Sequence, residues 1–264
     1  MGTVGSDNLV KIWNITNINW SPIRTYTGHS GEVLALEWIN ENTLASGSSD
    51  STIQIWSLQT GLTQTSIYTE NSVWSLKLLT NGVYIAAGLQ NGQIQIYNKD
   101  TGSLVQSLLG HTNSVYDLCL ITNGNSNLLA SSSGDLTIRI WDLNTNLNKF
   151  VLNGHTANVV GLKQISSDIL SSGSGDKTIK LWNITSRALI RTLSNHTSWI
   201  SWGLDLSADG QTLISCSGDQ TIKFWHWPTG QCLNTINAGV SAWSLSILNT
   251  ENIVSQNGIS YSTF

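Results

Sequence analysis

The sequence predicts an all-β protein built from one repeated unit of four antiparallel strands. Three observations carry this expectation. An aromatic residue closes a short apolar segment at Trp13, Trp56, Tyr97, Trp141, Trp182 and Trp225, an interval of about 42 residues that falls in the range of four-stranded repeats. Between these closings, short β-branched and apolar runs alternate with Asn, Gly, Ser and Asp clusters, as strands alternate with tight turns. The composition agrees: 11% charged and 40% hydrophobic residues, with 12 Trp, 23 Gly and 2 Pro in 264 residues, supply a large core without the helical period.

Taken in order, residues 2–6, 9–13 and 23–27 read as the second, third and fourth strands of a unit that lacks its opening strand. Inner strands are expected at 33–38, 73–78, 115–120 and 159–164, and second strands at 44–47, 85–88, 128–131 and 213–217. Third strands fall at 52–56, 93–97, 137–141 and 178–182, and fourth strands follow Thr-Gly turns at 103–109 and 231–236. The chain finishes with an inner strand at 242–247, a second at 252–255 and a degenerate tail. The units are 1–27 (partial), 28–68, 69–109, 110–153, 154–194, 195–236 and 237–264 (partial). One such unit has nothing to bury its faces against, so 1–264 is expected to be a single domain.

Charge and cysteine usage exclude several function classes. A net charge of −4 with scattered Lys and Arg lacks the basic face of a nucleic-acid binder. Cys119, Cys216 and Cys232 are odd in number and without metal-ligand spacing, which suits a reduced intracellular protein better than a disulfide framework. No apolar run approaches a membrane span. The expectation is a cytoplasmic chain, with the nucleus left open, that needs no membrane, no cofactor and no metal. Glycosylation triplets at Asn14, Asn19, Asn183 and Asn195 are what an Asn-rich chain holds by chance.

Gly28-His29, Gly110-His111, Gly154-His155 and the variant Asn195-His196 open units that close on Ile55-Trp56, Ile140-Trp141-Asp142, Leu181-Trp182 and Phe224-Trp225. With these openings, closings and spacing, the chain resembles the WD-repeat β-propeller family along its whole length. The resemblance implies four-stranded blades whose innermost strands line a central channel. Six to seven blades are expected, the terminal ones incomplete. Seven is favoured because it is commonest in the family; in the six-bladed alternative the last two strands complete the first unit.

Four opening histidines each align with a serine, an aspartate and the closing tryptophan: His29, Ser46, Asp50 and Trp56; His111, Ser131, Asp135 and Trp141; His155, Ser172, Asp176 and Trp182; His196, Ser215, Asp219 and Trp225. A buried carboxylate needs donors, which imidazole and hydroxyl supply, while the indole N–H needs an acceptor. In the family this set is a hydrogen-bonded network inside each blade. A Ser-His-Asp triad would also suit a hydrolase, but four copies in register point to a structural role, so no catalytic residue is expected. His226 is left for a loop. Unit 69–109 carries Thr69, Ala87, Asn91 and Tyr97 at these positions, so that blade should open more easily. The first unit keeps Thr3, Asp7 and Trp13.

One further column carries the functional expectation. The residue after the first apolar position of each inner strand is Leu34, Trp74, Tyr116, Val160, Trp202 and Trp243, with a one-residue bulge allowed at Trp202. The resemblance places this column at the channel mouth. There Trp74, Tyr116, Trp202 and Trp243 would form an aromatic collar of binding hot-spot composition, with Asp117 and Asp205 beside it to favour a cationic side chain. The expected function is a non-catalytic protein–protein interaction scaffold that binds proteins or peptides, as a monomeric propeller within a larger protein or complex. The alternatives are a substrate-recognition module of a ubiquitin ligase or a modified-peptide reader, and, in another class, a propeller hydrolase or lectin. For a phosphate reader the arginines Arg24, Arg139, Arg187 and Arg191 form no cluster in the sequence.

Overall fold

The computed structural model describes residues 2–13, 22–123, 126–240, 245–249, 252–255 and 260–262. The chain divides into two compact units, Met1–Leu118 and Cys119–Phe264. The first holds β1 (Gly2–Val4), β2 (Val10–Trp13) and β3 (Pro22–Tyr26); then β4 (Val33–Asn40), β5 (Thr43–Ser48), β6 (Thr52–Ser57) and β7 (Thr63–Tyr68); then β8 (Val73–Leu78), β9 (Tyr84–Leu89), β10 (Ile94–Asn98) and β11 (Leu104–Leu108). Strand β12 (Val115–Asn123) carries the chain into the second unit and starts a sheet with β13 (Ser126–Ser133), β14 (Ile138–Asp142) and β15 (Leu147–Leu152). There follow β16 (Val159–Gln164), β17 (Ile169–Ser174), β18 (Ile179–Asn183) and β19 (Ala188–Leu193), and β20 (Ile200–Leu206), β21 (Thr212–Ser217), β22 (Thr221–His226) and β23 (Gln231–Asn237). The chain ends on β24 (Leu245–Asn249), β25 (Asn252–Ser255) and β26 (Ser260–Ser262).

Among the described residues this makes seven sheets, five of four strands and two of three, the short ones being the first and the last. Each terminal set forms a sheet of its own, and the tail read as degenerate contributes β26. Within each sheet, sequence-neighbouring strands pair antiparallel, as short turns dictate. The second and third strands are almost wholly buried and the fourth is mostly exposed. Apolar residues from successive sheets meet between them: Ile53, Ile55 and Ala45 pack with Val73, Ile85 and Ala87 in the first unit, and Ile179, Leu181 and Leu193 with Ile200, Leu213 and Trp225 in the second.

Two backbone devices recur. The pairing of third and fourth strands slips just before the closing aromatic in six sheets. The extra residue falls on the outer strand, at Ile23, Gln64, Val105, Lys149, Ile190 and Leu233. Such a bulge twists the exposed edge and discourages strand addition there. The turn between second and third strands holds Ser51, Leu136, Lys177 and Gln220 at φ of 63, 71, 71 and 67°. This left-handed kink lets the preceding aspartate accept the N–H of the following threonine.

Glycine is demanded where the next sheet's first strand presses in. A Cβ on Gly173 would lie 2.6 Å from Ile200 Cγ2, and one on Gly47 would collide with Val73. Gly173→Ala is therefore expected to destabilise by roughly 1–3 kcal/mol through overpacking. Urea midpoints measure this, and an unchanged midpoint would show that Ile200 yields.

Candidate functional site

Three of the four histidine sets are described in full, and each forms the same chain of hydrogen bonds. In the most buried, Trp182 Nε1–H donates to Ser172 Oγ at 2.8 Å, and Ser172 Oγ lies 2.8 Å from His155 Nε2. His155 Nδ1 lies 2.7 Å from Asp176 Oδ2. With a neutral imidazole protonated on Nδ1, every bond runs one way, from indole through hydroxyl and imidazole to carboxylate; the tautomer is assigned from these partners. Thr178 Oγ1 at 2.6 Å and the Thr156 and Thr178 N–H groups complete the carboxylate's shell. His29, Ser46, Asp50 and Trp56 repeat the arrangement at 2.7 to 3.0 Å, as do His196, Ser215, Asp219 and Trp225 at 2.8 to 2.9 Å. In the remaining set, Trp141 Nε1 donates to Ser131 Oγ at 2.8 Å and Thr137 Oγ1 to Asp135 at 2.6 Å, while His111 is buried.

Electrostatics follow from burial and these bonds. Burial holds the pKa of His29 and His196 below the ordinary histidine value, against the pull of their aspartates. For the aspartates, burial acts to raise the pKa, but the hydroxyl, amide and imidazole donors together outweigh it. Asp50 and Asp176 are lowered, and Asp219 is held down at about 2. The serines have no access to a substrate: Ser46, Ser172 and Ser215 are 0% exposed, and each hydroxyl already accepts an indole N–H. A nucleophile needs the opposite arrangement.

The sheet of β8 to β11 replaces the set with a smaller one. Tyr97 Oη donates to Gln95 Oε1 at 2.5 Å, and Gln95 Nε2 donates to Gln93 at 3.2 Å. Burial pushes the Tyr97 phenol up to about 12. Thr69 Oγ1 turns to the Asn71 carbonyl and Asn91 accepts the Gln93 N–H. In the first sheet Trp13 Nε1 donates to Thr3 Oγ1 at 2.7 Å, and Asp7 pairs with Lys11. His226 does not sit on a loop. It ends β22, and its Nδ1 meets Thr229 Oγ1 at 2.8 Å across the tight turn.

The aromatic column stands on backbone irregularities. The pairing of first and second strands slips at Leu34, Trp74 and Val160, and between Ile200 and Leu204, the stretch that contains Trp202. A bulge re-aims its side chain out of the alternation of the strand. Trp74 and Tyr116 meet edge to face, with ring centroids 5.3 Å apart and planes at 89°. Both are half-buried, as is Trp202, and Val160 is buried. Trp243 lies outside the described residues. Of the two flanking carboxylates, Asp205 is taken by Lys163 Nζ at 2.6 Å, and Asp117 accepts the Leu118 N–H at 2.8 Å. A cationic side chain arriving at Asp205 would therefore share it with Lys163.

Sequence reasoning missed the polar ties between successive first strands. Glu37 Oε1 holds Lys77 Nζ at 2.8 Å and the Leu78 N–H at 3.1 Å, and Gln164 bonds both the N–H and the hydroxyl of Thr122. The partners Glu37 and Lys77, and Lys163 and Asp205, stand about one repeat apart, so aligning this column for opposite charge would have found them. Among the described residues no group of three or more His, Cys, Asp or Glu could hold a metal ion. No helix there is long and apolar enough to cross a membrane.

Residues 20–57, 102–142, 147–183 and 187–226, together more than half of the chain, match the family described as WD domain, G-beta repeat, and the chain belongs to that family. The unit that carries Thr69, Ala87, Asn91 and Tyr97 falls between the matched stretches. The solved WD40 β-propeller domain of Doa1 matches 99% of this chain and 85% of its own, with a TM-score of 0.83 at 22% identity. The fold class is therefore a WD-repeat β-propeller. Among curated proteins, the chain is 32% identical over 150 residues to Protein tipD of Dictyostelium discoideum, covering 55% of this chain and 23% of that one. It is 32% identical over 147 residues to Periodic tryptophan protein 2 of Arabidopsis thaliana, covering 54% and 16%. It is 29% identical over 152 residues to Anaphase-promoting complex subunit cdc20 of Dictyostelium discoideum, covering 55% and 30%. The matches span less than a third of each relative's length.

Proposed function

We propose that the chain is a non-catalytic interaction scaffold, one propeller domain over 1–264, that binds peptide or protein partners through the aromatic column of its first strands. The observation that carries this reading is the Trp74–Tyr116 pair, with Trp74 set on a bulge and both rings only half-buried. Large aromatic rings at a partly open position are what interfaces use as anchors. Trp202 and Trp243 occupy the same repeat position and belong to the same proposal, with Asp117 and Asp205 as the acidic neighbours. Membership of the family and relatives named as subunits of the anaphase-promoting complex and of a transcription initiation factor support a role within assemblies. Cytoplasm or nucleus would suit such a role, with neither membrane nor nucleic acid as partner.

The buried serines support the non-enzymatic half of the proposal, because the one triad-like constellation is spent on hydrogen bonds inside the blades that carry it. The arginines support protein binding over phosphate reading: Arg187 stacks over Phe150, with 4.9 Å from guanidinium to ring, and Arg191 donates to the Pro228 carbonyl. Affinity capture with the parent chain, Trp74→Ala and Trp202→Ala tests the site. Partners lost from either variant at an unchanged melting temperature support it. Identical partners from all three chains, all equally folded, overturn it.

A further inference from the structure

One position of the repeat departs from its column in a way the aromatic site does not explain. The second residue after a closing aromatic donates its backbone N–H to the turn between the first two strands of its own sheet or to the start of the second of them. This holds for Leu58, Lys99, Leu143 and Ile184, and Trp227 follows β22 at the same place. Leu58, Ile184 and Trp227 each pack into the apolar layer against the preceding sheet. They plug the gap between sheets beside the turn that joins the first two strands. In the sheet of β8 to β11 the plug is Lys99, whose side chain is only 17% exposed.

A cleft of about 530 Å³ opens where the apolar plug would sit, lined by Ile39, Asn40, Ile55, Gln64, Lys99 and Asp100 among others. Its floor is aliphatic, Ile39 and Ile55, and its wall is rich in donors. The Gln64 side chain makes no hydrogen bond among the described residues, and Asn40 uses only its Oδ1, toward the Asn42 N–H. Lys99 Nζ is held by Asp100 Oδ1 at 2.6 Å, but the Asp100 carboxylate is 68% exposed. An ion pair with one member in solvent contributes little and exchanges easily. The combination is an aliphatic surface that ends in amide and ammonium donors.

We propose that this cleft is a second docking site, independent of the aromatic column, for an acidic side chain with an aliphatic stem, as on a glutamate-bearing segment of a partner protein. The stem covers Ile39 and Ile55 in place of the missing plug. The carboxylate takes Lys99 Nζ and accepts from the Asn40 and Gln64 amides while Asp100 turns to water. The charge-assisted bonds fix the orientation and the stem supplies the buried apolar area.

The test uses the full chain labelled with nitrogen-15 and two blocked tripeptides, alanyl-glutamyl-alanine amide and its glutaminyl counterpart. The glutamyl peptide should shift the amide signals of Ile39, Asn40, Gln64 and Lys99 with a Kd of roughly 1–10 mM, and the glutaminyl peptide should bind at least about fivefold more weakly. Lys99→Leu restores the column's own residue type, so it should fold at least as well as the parent, melt a few degrees higher (~2–4 °C per kcal/mol gained) and lose the glutamyl-induced shifts. Equal binding of both peptides, shifts that persist in Lys99→Leu, or shifts at Trp74 and Tyr116 in place of these four residues would overturn the proposal. None of these outcomes depends on whether the aromatic column binds a partner.

Discussion

Trp182→Ala is expected to destabilise the protein by roughly 3–5 kcal/mol. The indole is 2% exposed and packs among Leu128, Ile138, Ile140, Leu162 and Leu170, so truncation leaves a cavity that rigid strands close poorly. It also removes the donor to Ser172 Oγ, while Ser172 is fully buried with the imidazole of His155 beside it. Trp182→Phe separates the two losses. The phenyl ring keeps most of the volume but not the N–H, and should cost about 1–3 kcal/mol, because the buried Ser172 Oγ loses the donor it accepts from while still donating to His155. Urea midpoints for the three chains measure both steps; a Phe variant as stable as the parent would mean that the indole contributes packing alone. The same experiment tests the proposal that 1–264 is one domain. Fluorescence and circular dichroism should then shift together in one transition, whereas a transition split between residues 1–118 and 119–264 would overturn it.

The strands were legible in the sequence because each is bounded by turn residues and repeats at one period. Val73–Leu78, Val159–Gln164 and Asn252–Ser255 fall where alternation and turn chemistry put them; several others run a residue or two longer, as in Val33–Asn40, and Ile94–Asn98, Ile138–Asp142 and Ile179–Asn183 lie one residue further along. The alignment also placed side by side the residues that the structure joins in hydrogen bonds. Less legible was whatever depends on the partner strand. A bulge is a relation between two strands, so the slips at Trp74 and Val160 leave no mark on either strand alone. The pairing of Lys163 with Asp205 likewise arises between sheets. Tyr97 shows the same limit: its column identified it as a departure, but only the pairing geometry shows Gln95 taking over as its partner. Lys99 lay in plain view, one polar residue in a column of Leu, Ile and Trp. Its consequence appears only with the neighbouring sheet in place.

Acid should unfold the protein in two steps, both in the same direction. Burial lowers the pKa of His29 and His196, so the folded protein keeps these imidazoles neutral at a pH where the unfolded chain protonates them. The stability they contribute is complete above the unfolded value of about 6.5 and is lost as pH falls from there. Asp50, Asp176 and Asp219 are also lowered, and their contribution is complete above the unfolded carboxylate value and lost below it. Asp219, with only 6% of its side chain exposed, moves from 3.8 to about 2, which corresponds to about 2 kcal/mol lost between roughly pH 5 and pH 1. Because each imidazole donates to a carboxylate that must stay ionised, the histidine step weakens the same sets that the aspartate step then breaks. Urea midpoints between about pH 8 and pH 3 should therefore be level near neutrality, decline below about pH 6.5, and fall more steeply below about pH 4. A midpoint that rises on acidification from neutrality toward pH 5.5 would mean that the imidazoles are held charged, and would reverse the direction assigned to the serine–imidazole bond alone.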